Sequence, residues 1–460
     1  WAGPRRRLAE RRTGPDDRFP LDGIVFPKVD HPEGVDLVND LLSRAESALG
    51  IPDGTGAFDN GDGTFTWLVN HELGPTSGIV RAHGARGSFV SKWIVRKADL
   101  AVLQGSDLIQ NVSLWDRPTS SFLAPAAGNG FGRLCSADLP ARTALFDAAT
   151  GLGFDGDLFF DGEEIGAEGR GFVHALDGTS WEIPRSGKYS RENFVAAPNL
   201  GTRMLAVGLD DSGGGQIYLY AGTKTSAGSP IDRAGLTNGV LYGLRAVGHP
   251  VEDPATGIPS VAFESHSFGN VENWTGAELG TASKTALVTK FQRPEDGAWD
   301  PNDPNHFYFV TTASFSTQSR LWRVRFVDAK RPELGGRIEM LLDGSEGQRM
   351  LDNMTVDRLG HAYLQEDVGG NVRLGKIWRY DIATDVLIEV AASNPEFFDP
   401  AIASPSFITM DEESSGIIDA SDLLGPGWFL MSMQVHAGSS DPELVEGGQL
   451  LALFDPAAVN

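Results

Sequence analysis

The chain has 460 residues, of which 41% are hydrophobic and 22% charged, enough apolar material for a large buried core. Its 38 Lys+Arg against 62 Asp+Glu give a net charge of −24, a field that disfavours nucleic acid and anionic membrane surfaces, and polyanions not reached through bound cations. No apolar window of about 18 residues suits a membrane-spanning helix, and the single cysteine, Cys135, excludes an internal disulfide.

In chain order, Trp1-Ala2-Gly3-Pro4 reads as a processed or truncated start. Arg5-Arg6-Arg7 and Arg11-Arg12 resemble a twin-arginine pair, but no apolar stretch follows, so residues 1–18 are expected to form an exposed basic arm. Between Gly34 and Gly50, Val35, Leu37, Leu41, Leu42, Ala45 and Leu49 can share one face, which predicts a short helix in an N-terminal extension over 1–50.

From residue 51 onward the pattern changes to short apolar, aromatic-rich runs bounded by Gly, Asp, Asn and Pro, which is strand chemistry. They include Thr64–Val69, Asp157–Phe160, Met204–Val207, Phe307–Val310, Ala362–Leu364 and Trp428–Met431. Many come in pairs. Ala206–Asp211 precedes Gly215–Tyr220, Phe307–Ser314 precedes Ser319–Val324, Ala362–Asp367 precedes Gly375–Tyr380, and Gly427–His436 precedes Gly447–Leu453. A polar cluster at the same end of each hairpin fits propeller blades better than a sandwich. The 56 glycines mark the many turns this requires. The expectation is an all-β protein, a β-propeller of about six blades formed by 51–460 as one domain.

Acidic residues gather where those runs stop: Glu72 in Asn70-His71-Glu72, then Asp161–Glu164, Asp210-Asp211, Glu264, Glu366-Asp367, and Asp411-Glu412-Glu413. Asp and Glu are also common after strands simply as turn residues. If the runs converge on one mouth of a propeller, however, their carboxylates repel unless cations neutralise them. Hard oxygen ligands in number suit Ca²⁺, which takes about six to eight. A thiolate from Cys135 suits iron or zinc better. The sequence contains no HExxH, P-loop, EF-hand loop or GxSxG.

Several of these segments together resemble the PhoX-type alkaline phosphatases, metal-bearing β-propellers. Asn70-His71-Glu72 is similar to that family's Asn-His-Glu, and Cys135 with the downstream Glu163-Glu164 is similar to its metal-binding cysteine and Glu-Glu pair. Glu192 resembles a metal-binding glutamate, Arg293-Pro294-Glu295 matches the family's Arg-Pro-Glu, and Asp352-Asn353 followed by Glu366-Asp367 resembles its Asp-Asn…Asp pattern. The chain departs from the family at Ser136–Pro140, which replaces Thr-Pro-Trp-Gly. It departs again at Arg191 and Leu351, which stand where histidine and proline are expected.

The resemblance implies hydrolysis of a small phosphorylated substrate, with Arg293 and Asn353 at the phosphoryl group. Glu72, Cys135, Glu164, Glu192, Asp211, Glu295, Glu366, Asp367 and Glu412 are the expected metal ligands, for Ca²⁺ and for Fe³⁺. It further implies a secreted or periplasmic location. Two other readings stay open at this point: a non-catalytic calcium-binding extracellular scaffold, and a calcium-dependent lactonase or arylesterase.

Overall fold

The computed structural model describes residues 36–38 and 50–459. Six sheet units follow one another around an axis, antiparallel except for one parallel edge pair in the second. The first is Pro52–Asp59, Thr64–His71, Phe89–Arg96 and Val102–Asp107. In the second, Leu158–Gly162, Gly171–Ala175 and Thr179–Glu182 are followed by Asn111–Ser113 at the outer edge. Its innermost position is taken by an irregular segment, 134–140, bridged to the sheet at Leu134–Glu163 and Asp138–Phe160.

Arg191–Ala196, Arg203–Asp210, Ile217–Thr223 and Val240–Ala246 form the third unit, and Pro294–Trp299, His306–Thr311, Arg320–Phe326 and Gly336–Leu342 the fourth. An extra strand, Val261–Gly269, pairs with both and fuses them into one nine-stranded sheet. The fifth unit runs from Leu351–Val356 through His361–Glu366 and Lys376–Asp381 to Val386–Ala392. In the sixth, Glu412–Asp419, Trp428–Gly438 and Glu446–Phe454 are completed by Asp36–Val38, which pairs antiparallel with the last strand from Asp36–Phe454 to Val38–Ala452. The chain is an all-β propeller of six blades.

Why the strands read as unbroken apolar runs is now clear. Each blade is covered on both faces, so successive residues of one strand enter different cores. Trp67 packs with Leu430 and Leu450 of the sixth blade, while its neighbour Leu68 packs with Phe159 and Phe172 of the second. Phe307 and Trp322 meet Val207 and Leu219 of the third blade, while Tyr308 and Leu321 meet Leu351 and Ala362 of the fifth. Removing both faces of a strand from water in this way contributes roughly 1.5–3 kcal/mol per large side chain.

At Asp36–Val38, where a helix is expected, the chain is instead extended, and its backbone satisfies the outer edge of Glu446–Phe454. The rest of the proposed helix, and the basic arm, lie outside the described residues. Two further expectations are corrected. Phe407–Met410 is not a strand; the strand begins at Glu412. Glu264 does not end a strand but lies within Val261–Gly269, exposed and facing Arg245. Among the described residues no helix is long and apolar enough to cross a membrane.

Candidate metal centre

The inner strands share a register that places acid at one mouth of the axis. The first residue of each lies opposite the end of the next strand: Pro52 opposite His71, Arg191 opposite Asp210, Pro294 opposite Thr311, Leu351 opposite Glu366. Directly after it the ladder is interrupted by a bulge in all four strands. The bulged pairs are Asp53-Gly54, Glu192-Asn193, Glu295-Asp296 and Asp352-Asn353. A bulge re-aims side chains, and here the first residue of each pair joins an acidic cluster. The second forms a polar ring beneath it.

The cluster contains Asp53, Glu192, Glu295 and Asp352 from these bulges, and Glu413 from the sixth blade. Glu72, Glu164, Asp211 and Asp367 join it from the ends of second strands, giving nine carboxylates. Among the described residues, only Arg133, Arg293 and His436 bring positive charge to them. Burial, followed by repulsion from the other carboxylates, holds Asp53, Glu192, Glu295 and Asp352 well above the usual carboxyl range. Burial likewise pushes Glu72 up to about 7 against the pull of Arg133, and Asp367 up to about 7 with help from Glu413. The Cys135 thiol is raised by burial and by Glu72 and Glu192.

Hydrogen bonds compensate only part of this. Gln434 Nε2 donates to Asp53 Oδ2 at 3.3 Å, Glu72 Oε2 at 3.0 Å and Glu413 Oε1 at 3.0 Å. Glu192 Oε1 accepts from the Ser136 amide at 3.2 Å. Asp53 Oδ1 is buried without a partner. Three groups have ligand atoms within 4.8 Å of one another: Asp53–Cys135–Glu192, Glu72–Cys135–Glu164 and Glu192–Asp211–Glu295. A dense set of hard oxygens with an unpartnered carboxylate oxygen fits a cation, and the thiol adds a soft donor to two of the groups.

Arg293 borders the cluster. Its Nε and Nη2 donate to the two oxygens of Asp211, both at 2.8 Å, and Nη2 lies 2.9 Å from Glu295 Oε1. The residue has φ 61°, a left-handed conformation, and its side chain is 34% exposed. Beneath the acids, Asn193 Nδ2 donates to Asp296 Oδ1 at 2.6 Å, and Asp296 Oδ2 accepts from Met354 N. Asn353 donates to the Ser136 hydroxyl and accepts from Gly416 N. These residues line an axial cavity of about 200 Å³.

Of the residues expected from sequence, the fold brings together Glu72, Cys135, Glu164, Glu192, Asp211, Arg293, Glu295 and Asp367. Glu366 is not among them: both its oxygens are bound by Arg373, and it also accepts from Arg349 N and Trp378 Nε1. Glu412 turns the other way and accepts from Gly375 N, and its neighbour Glu413 joins the acids instead. Asn353 is fully buried as a brace to Ser136. Asp53, Arg133, Gln434 and His436 were not singled out from the sequence; Glu413 was named only within the acidic run Asp411-Glu412-Glu413, and Asp352 only within the Asp-Asn motif.

No protein-family model and no curated protein sequence matches the chain. Among solved structures, Pseudomonas fluorescens PhoX in complex with vanadate, a transition state analogue, is similar over 95% of this chain and 99% of its own, at 12% identity and a TM-score of 0.66. Regucalcin from Agrobacterium tumefaciens, a calcium-binding protein, aligns over 88% of this chain and 90% of its own at 14% identity, with a TM-score of 0.34. The likeness to PhoX is one of fold.

Proposed function

We propose that this chain is a metal-dependent hydrolase of phosphate esters, working at the acidic mouth of the propeller axis with bound calcium and iron, in an exported protein. The observation that carries the reading is the position of Arg293. A half-buried guanidinium, fixed bidentately by Asp211, is held beside buried carboxyl groups that far outnumber the positive side chains set against them.

Asp53, Cys135, Glu192, Asp211, Glu295, Asp352 and Asp367 are the residues available to hold cations. When bound, such ions polarise phosphoryl oxygens and lower the pKa of a coordinated water. The chain's own part is orientation. Asp211 and Glu295 fix the plane of Arg293, leaving its outward edge for a phosphoryl oxygen as charge develops there. Asn353 positions Ser136, whose amide in turn orients Glu192.

The test is hydrolysis of p-nitrophenyl phosphate with and without calcium, by wild type and Arg293→Ala. A fall of roughly 100-fold in kcat/KM for the variant is expected, the scale of losing one donor to a developing oxyanion. Equal rates would remove the role given to Arg293. Calcium binding with no turnover in wild type would leave a non-catalytic scaffold.

A further inference from the structure

The group Glu72–Cys135–Glu164 differs from Asp53–Cys135–Glu192 in what already lies against it. Arg133 Nη2 contacts Glu72 Oε1 and also lies 2.5 Å from Glu164 Oε2, to which Arg133 Nε donates at 2.7 Å. The Cys135 sulfur lies 3.6 Å from the same Glu164 oxygen. One guanidinium thus bridges the two carboxylates that would otherwise converge on a cation with the thiol. By contrast, among the described residues no arginine or lysine lies against Asp53 or Glu192, and Asp53 keeps a buried oxygen without a partner.

Arg133 is held in place from its backbone. Its amide donates to Leu73 O at 2.9 Å, its carbonyl accepts from Glu164 N at 2.8 Å, and its φ of 29° is one that L-residues rarely adopt. Both partners of the side chain therefore come from the segments just past two strand ends that are hydrogen-bonded to Arg133's own main chain, and a fixed planar fork suits two carboxylates at once.

We infer that Arg133 serves as a built-in cation, taking the place of a metal ion at Glu72–Cys135–Glu164 and so limiting how many ions the centre holds. This rests on the metal reading proposed above. Arg293 spans Asp211 and Glu295 in a similar manner, but the proposed reaction uses it, so the test is confined to Arg133.

The experiment is a metal inventory on the full chain, for wild type, Arg133→Gln, Arg133→Lys and Glu164→Gln. Each protein is loaded with excess Co²⁺ and gel-filtered. Cobalt per chain is then measured by elemental analysis, alongside the thiolate-to-cobalt charge-transfer absorption. Arg133→Gln is expected to retain one cobalt more than wild type, and Arg133→Lys the same number as wild type. Glu164→Gln should keep the wild-type content, because an ion that is not there cannot be lost. Equal content in wild type and Arg133→Gln, with cobalt bound in both, overturns the inference and leaves the hydrolase reading standing. Loss of one cobalt from Glu164→Gln overturns it too, and that arm decides should Arg133→Gln not fold. A wild-type chain that binds no metal sinks both readings together.

Discussion

Asp138 makes the fold's stability depend on pH in a direction opposite to that of a salt-bridged carboxylate. It sits on the irregular inner segment of the second blade, accepts from Ala196 N at 2.7 Å, and borders the axial cavity. Burial, with a contribution from Asp296, raises it from 3.8 to about 7. Below about pH 4 both folded and unfolded chains hold the proton, and the group has no effect. Between about 4 and 7 the unfolded chain releases the proton while the fold keeps it, so folding is progressively disfavoured, and above about 7 the cost is constant. Linkage gives a cost of roughly 2 kcal/mol at pH 5 and roughly 4 kcal/mol at pH 8. These are ceilings, because Asp138 is only partly buried and solvent screens its carboxylate. Asp138→Asn keeps an oxygen for Ala196 N and cannot ionise. Urea unfolding of both proteins at pH 5 and pH 8 should therefore show the variant gaining up to about 2 kcal/mol on wild type between the two. A stability difference that is flat across that range, or one that grows toward acid, would refute the reasoning.

Other consequences are as direct. Chelation at pH 8 should lower the Tm, and the drop should shrink at pH 5, where Asp367, held up to about 7, takes a proton in place of a cation; thermal scans that show no chelator effect at either pH would count against a cation-filled centre. Glu252→Gln leaves the Arg320 guanidinium buried without its counter-charge, and denaturant titration should show a loss of about 3–5 kcal/mol. Trp322→Ala empties the core between the third and fourth blades, where the indole stacks on Phe309 at 6.1 Å and meets Phe291 edge-on; a loss of about 3–5 kcal/mol is expected in the same assay.

The blades were legible in the sequence because strands covered on both faces need unbroken apolar runs, as in Phe307–Val310, and each hairpin repeats that need. The acids at second-strand ends were legible because each apolar run stops at them, although the fold keeps most of them buried. Glu192, Glu295 and Asp352 were reached only through the family resemblance, and what escaped was Asp53 and the pattern they share at the start of each first strand, where Pro52-Asp53-Gly54, Arg191-Glu192-Asn193, Pro294-Glu295-Asp296 and Leu351-Asp352-Asn353 each set an acid before a small or polar residue. That pattern encodes a bulge, which hydrophobic periodicity does not register. Glu366 and Glu412 mislead because a strand-end acid can equally turn to an arginine or a backbone amide, and one residue of register decides which. The helix Gly276–Ala286 carried a readable signal in Thr275 and Glu278, which form a capping box.

The sixth sheet takes its outer strand from Asp36–Val38 and its other three from beyond residue 411. A ribosome must therefore release nearly the whole polypeptide before the ring can shut, and until then Glu446–Phe454 offers a bare row of amides to any passing strand. Removing Asp36–Val38 would strip that sheet of its outer strand and leave the row bare for good.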